Sequence, residues 1–114
     1  MAEETDALLA RLQRLAAALP GVETGTSYGT PALKVAGKMF VRIKDAETLV
    51  LMVPLDDKER LIEMAPGIYY ETDHYKGWPA LLVRAAAIDD AELQHRLTEA
   101  WRLKASAKLR KLLG

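Results

Sequence analysis

Residues 26–44 read TSYGTPALKVAGKMFVRIK and contain four cations, Lys34, Lys38, Arg42 and Lys44, and no acid. Cations held at one strand parity can position phosphates. A ring among them, here Phe40, can stack on a base or make an apolar contact. Read as alternating strands, Lys34, Phe40, Arg42 and Lys44 share one face, opposite Leu33, Val35, Met39, Val41 and Ile43, with Lys38 at a hairpin tip. These five residues are the candidate nucleic-acid contacts. The competing reading is the wet side of a half-buried sheet, which is ordinarily polar.

A second concentration lies further on. Tyr69, Tyr70, Tyr75 and Trp78 cluster beside His74 and Lys76, within YYETDHYKGW. Asp73, His74, Tyr75 and Trp78 are the candidate ligand pocket, for a small molecule or a protein partner. The plainer alternative is that the large rings complete the core. Adjacency of Asp73 and His74 in a loop is not a proton relay. A catalytic His74 would need a concave pocket and a second polar group within hydrogen-bond reach.

Other chemistry finds little support. The 114-residue chain has no cysteine, which removes disulfides, thiolate zinc and cysteine nucleophiles. Two histidines, His74 and His95, make a poor metal set without cysteine. The acids Asp56, Asp57, Glu59 and Glu63 read as a solvated helix start. Gly25 and Gly29 lack dinucleotide-fingerprint spacing, and AGKMF lacks the upstream glycine of a phosphate loop. Ser27 and Ser106 sit in no nucleophile elbow. No catalytic constellation, metal or cofactor is expected.

Sixteen basic and sixteen acidic residues cancel, and the pI of about 6.7 argues against strong non-specific nucleic-acid binding. The charge is nonetheless segregated. Acids dominate residues 45–73, and the end of the chain carries Arg102, Lys104, Lys108, Arg110 and Lys111 without one. The opening MAEETDALLARLQRL puts acids before any apolar stretch, the reverse of a secretory signal. No run approaches the roughly 18 apolar residues of a membrane span. The expectation is one soluble, cytoplasmic domain over residues 1–114, a monomer or weak dimer, with no membrane partner.

The elements that must position these residues follow from periodicity. Leu8, Leu12, Leu15, Ala16 and Leu19 make a helical stripe, with Thr5 as N-cap and Pro20-Gly21 as the stop. Residues 22–28 suggest a strand, broken at Gly29-Thr30-Pro31. Keeping Leu33 and Val35 on the face of Met39 and Val41 demands a loop of odd length, so Ala36-Gly37-Lys38 is expected as a three-residue turn. TLVLMVP reads as a central strand. Asp56 is placed as the cap of a short helix and Asp89 as the cap of the last, each with Glu three residues on. IYYE and PALLVRAA complete the strands. Leu93, Leu97, Ala100 and Trp101 mark the last helix's buried side. The fold class is α+β: an antiparallel β-sheet with N- and C-terminal helices and a short middle helix packed on one face.

ALPGVETGTSYGTPALKVAGKMFVRI and YYETDHYKGWPALLVR, followed by a helix bearing EAWRLKASAKL, together resemble the MmcQ/YjbR family of small bacterial proteins, over residues 15–109. The resemblance implies a CyaY-like, double-wing-like fold. It also implies a DNA-binding label that rests on fold analogy, and it brings no catalytic residues with it. Two functions stand on these readings. One is a non-enzymatic DNA-binding module using the open sheet face; the other is a small-ligand or protein-partner domain using the loop from Asp73 to Trp78.

Overall fold

The computed structural model describes residues 2–114. Helix α1 (Ala2–Leu15) leads into four consecutive strands, β1 (Val22–Ser27), β2 (Thr30–Val35), β3 (Lys38–Asp45) and β4 (Thr48–Met52). Helix α2 (Leu55–Met64), strand β5 (Tyr69–Tyr70), a 3₁₀ turn (Asp73–Tyr75) and strand β6 (Ala80–Arg84) follow, and α3 (Asp90–Lys104) and α4 (Ala107–Leu113) close the chain. The six strands form one sheet in the order β1-β2-β3-β4-β6-β5, every pair antiparallel. The α+β expectation holds.

One face of the sheet carries the main core. Leu33, Val35, Val41, Ile43, Leu49, Leu51, Leu81 and Val83 meet Leu8, Leu12 and Leu15 of α1 and Leu93, Leu97 and Trp101 of α3. Trp101 is wholly buried, and its Nε1 donates to the Pro20 carbonyl at 2.9 Å, so the ring leaves no polar atom stranded. Leu61 brings α2 into the same core. Arg11 of α1 ties the two long helices together, donating to the Ala85 and Ile88 carbonyls and to Asp90. The Arg11 bond to Asp90, and one from Arg14, hold the Asp90 carboxyl below its ordinary range. Beneath α3, the Tyr69 hydroxyl donates to Glu92. Burial raises that phenol's pKa and the bond to Glu92 adds to the rise.

Four local expectations are corrected. Thr5 lies inside α1, because Ala2, Glu3 and Glu4 are helix formers that carry the helix past it. Pro54, not Asp56, is the N-cap of α2; its extended backbone (φ −62°, ψ 144°) suits the position, and Asp56 instead faces the helix dipole from the first turn. Asp89 does cap α3, accepting from the Glu92 amide at 2.8 Å. The last helix breaks after Ala105, where Ser106 starts α4 by accepting from the Leu109 amide.

The fourth correction matters for the site. The β2–β3 turn has two residues, Ala36 (φ 52°) and Gly37 (φ 76°), and Val35 pairs with Lys38. This is the I′-type geometry that matches strand twist. Parity is restored further along: Lys34 pairs with Met39 but Leu33 pairs with Val41, so Phe40 is the extra residue of a β-bulge. Phe40 is 0% exposed and belongs to the core, not to the outer face where strict alternation put it.

Candidate ligand-binding cleft

The face away from α1 and α3 is neither bare nor uniformly basic. Arg42 of β3 lies between Ala32 of β2 and Val50 of β4. Val50, Ala80 and Leu82 form a second small cluster, packed by Met52, Tyr70 and Tyr75. Tyr75 reaches it because residues 71–79 leave β5 and fold back over the sheet.

That segment is built by local and distant hydrogen bonds. The Tyr75 amide donates to Thr72 O at 2.9 Å and the Trp78 amide to Tyr75 O at 3.0 Å, while Gly77 takes a positive φ of 78° that lets the chain reverse. From α2, Lys58 donates through Nζ to the Tyr75 and Trp78 carbonyls and forms an ion pair with Glu71 at 2.7 Å. Lys58 is only 4% exposed. A buried ammonium is tolerated only when its donors are satisfied, and here all three are.

Beneath this roof is a cavity of about 330 Å³. Its floor is apolar, made by Met39, Val50, Met52 and Ala80; Tyr28 and Arg42 form one wall, and His74, Tyr75 and Trp78 form the roof. Arg42 is held from three sides. Its Nη1 donates to Thr30 Oγ1 at 3.2 Å, its Nη2 donates to the Tyr75 hydroxyl at 3.1 Å, and its Cζ stands 5.2 Å from the centre of the Tyr28 ring. Among the described residues, no carboxylate lines the cavity. The His74 ring meets Tyr75 edge-on, with centroids 4.9 Å apart, and makes no hydrogen bond among the described residues. A base oriented by a second group, as a proton relay requires, is therefore not assembled around it.

Tyr28 carries a further signal. It and Gly29 are the two turn residues between β1 and β2, with φ of 53° and 78°. A bulky residue rarely adopts that conformation, and Asn or Gly is the usual occupant. Yet the ring is 86% exposed, so burial does not explain it. Uncommon backbone conformations of this kind concentrate at ligand clamps. Trp78, across the cavity, is 64% exposed.

The structure thus joins parts of two separate sequence readings. Arg42, expected on the basic hairpin, and His74, Tyr75 and Trp78, expected in the loop, line one cavity. The other candidates lie elsewhere. Lys34 runs its stem over Gly25, 3.6 Å from where a Cβ would stand. Lys38 and Lys44 are exposed, and Asp73 is an exposed loop residue outside the lining. Phe40 is in the core. Six cavity or support residues were not read as such in the sequence: Tyr28, Met39, Val50, Met52, Ala80 and Lys58; Met39, expected on the core face, instead pairs with Lys34 and lines the cavity. Tyr28-Gly29 was detectable as a two-residue turn signal with the wrong first residue. Lys58, set among acids, offered none. Among the described residues, no three His, Asp or Glu side chains gather as a metal site would require, and no helix is long and apolar enough to cross a membrane.

A family model described as YjbR matches residues 17–103, a span that holds every residue of the cleft. The chain belongs to the YjbR family. Uncharacterized protein Rv2570 of Mycobacterium tuberculosis and uncharacterized protein Mb2600 of Mycobacterium bovis are each 44% identical to it over 52 residues. Those matches cover 46% of this chain and 40% of each relative, so the chain spans less than half the length of the mycobacterial proteins it matches. The crystal structure of Deinococcus radiodurans protein DR2400, with its DUF419 family-model domain, superposes with a TM-score of 0.70 at 20% identity, over 90% of this chain and 85% of that one. At that identity the likeness establishes a shared fold.

Proposed function

We propose that this YjbR domain is a non-enzymatic binding module whose cleft, on the sheet face roofed by residues 71–79, takes a small organic ligand. The observation that carries the reading is Arg42, fixed in an apolar cavity with no carboxylate partner among the described residues, in a lining that also holds two exposed rings, Tyr28 and Trp78. A largely apolar concavity with a few convergent polar groups is the usual form of a small-molecule site, and about 330 Å³ lies at the lower end of the usual size range. Support for binding over turnover is that, among the described residues, no side chain orients His74 and no carboxylate lines the cavity. Chemical-shift mapping of ¹⁵N-labelled protein against a mixture of small polar and aromatic fragments tests it. Movement is expected at Arg42, His74 and the Trp78 indole; a mixture that leaves all three still overturns the reading.

DNA binding through the same face is the second reading. It is favoured by one observation: Lys34, Lys38, Arg42 and Lys44 form no ion pair with any carboxylate among the described residues. Phe40 has no part in it, being buried. Four phosphate contacts would give log K against log salt a slope of about −3 to −4 on duplex DNA. Titration of labelled duplex and single strands at low and physiological salt, repeated with a Lys34→Glu/Arg42→Glu double variant, decides it. Absent or salt-insensitive binding removes the reading.

A further inference from the structure

We infer that the occupant of the cleft is a planar aromatic monoanion, an aryl carboxylate of one or two fused rings; this rests on the small-ligand reading above. Charge sets the sign and the count. Among the described residues, Arg42 is the one permanently charged side chain of the lining, and no acid lines it. Lys34, Lys38 and Lys44 stand outside, so among the described residues no second fixed cation lines the cavity to match a phosphate dianion. A single guanidinium answers a single negative charge.

The donors suit a carboxylate. Thr30 and Tyr75 take one bond each from the two terminal nitrogens of Arg42. A guanidinium has five N–H groups in a planar fork, so donors remain for an outside acceptor with two oxygens. The fork is already oriented by those two hydroxyls and by the Tyr28 ring beside it. Little rotamer freedom is left to lose on binding, which favours affinity.

Shape sets the rest. Tyr28 and Trp78 leave large ring faces in solvent, and Met39 and Met52 line the floor between the walls. Exposed rings stack well on another ring, and thioethers make favourable contacts with aromatic edges. The cavity of about 330 Å³ has room for roughly eleven waters at about 30 Å³ each, enough for a fused bicycle with one carboxylate.

The test compares four probes on the wild-type protein by calorimetry and by the Trp78 indole resonance: 2-naphthoate, 2-naphthamide, cyclohexanecarboxylate and 2-naphthyl phosphate. The expected result is binding of 2-naphthoate with movement of the indole signal, at least tenfold weaker binding of the amide and of the saturated acid, and no gain for the phosphate. Arg42→Met is expected to erase the preference for acid over amide, and Arg42→Lys to retain part of it. The wild-type comparison stands alone should a variant fail to fold. An amide that equals the acid, a saturated acid that equals the aromatic one, or a phosphate tenfold tighter than the carboxylate overturns the ligand class while the cleft reading survives. So does a silent naphthoate when other fragments move the cleft. If no fragment of any kind moves the cleft, the underlying site reading has failed instead.

Discussion

The Lys58 ammonium lies 2.6 Å from the carbonyl oxygen of Tyr75, joining α2 to the roof of the cleft across seventeen residues of chain. The same nitrogen serves Trp78 O at 3.0 Å and Glu71 at 2.7 Å. The roof has a two-residue strand on one side and few backbone bonds of its own, so this nitrogen is its principal anchor.

Replacing Lys58 by Met keeps the apolar stem and removes the anchor. Two carbonyls and Glu71 lose their partner, at a cost of about 1–3 kcal/mol in global stability. The sharper effect is local. Amide exchange at Tyr75, Lys76 and Trp78 is expected to speed at least tenfold while β3 and β4 keep their protection, as hydrogen-exchange NMR resolves. Unchanged exchange in the roof would show that Lys58 is not what holds it.

Tyr28→Asn separates stability from binding. Asn accepts the left-handed conformation more readily than Tyr, a gain of up to about 1 kcal/mol. The loss is a cation–π contact with Arg42, about 0.5–1 kcal/mol at an exposed site. Denaturation should therefore show unchanged or slightly raised stability, while affinity for any cleft ligand falls at least fivefold. A variant that loses stability and keeps affinity would mean the turn conformation serves the fold alone.

Phe40→Ala should cost about 3–5 kcal/mol in urea unfolding, since it empties a fully buried site. Lys38→Ala, two residues away at the exposed start of β3, should stay within about 0.5 kcal/mol. A mild Phe40 variant would place that ring outside the core after all.

Acid sensitivity should track Asp90. Arg11 and Arg14 lower its folded-state pKa below the ordinary value of 3.8. A depressed carboxylate contributes stability that is fully present above that ordinary value and lost as pH falls below it toward the folded value. Asp90→Asn should thus lower the thermal midpoint at pH 7 and show a smaller further drop on going to pH 3 than the wild type. Parallel curves would remove Asp90 from the acid response.

Much of this was legible in the chain. Leu8, Leu12 and Leu15, and Leu93, Leu97 and Trp101, announce their helices by spacing alone, and Asp89 three residues before Glu92 marks a cap that is made. The alternation of Leu33, Val35, Val41 and Ile43 identifies the core face, because one-sided burial enforces it. What failed was arithmetic carried through the turn. Counting residues from Val35 to Met39 cannot distinguish a three-residue loop from a two-residue loop followed by a bulge. Both restore the parity of Val41, but only the second sends Phe40 inward. The cleft was legible only in halves. Arg42 and Trp78 are 36 positions apart, and nothing in either neighbourhood states that residues 71–79 fold back across β3 and β4. The side chain that reaches that segment from α2 is Lys58, a buried cation whose surroundings in sequence are those of a solvated helix.

The position of the roof in the chain has an evolutionary consequence. It is inserted between the fringe strand β5 and β6, outside the run of hairpins that builds the floor. Insertions, deletions or exchanged rings in that one segment leave every hairpin from β1 to β4 with its partners. A lineage carrying this scaffold is free to retune what it recognises by editing about nine contiguous codons, with the guanidinium below them kept as a constant.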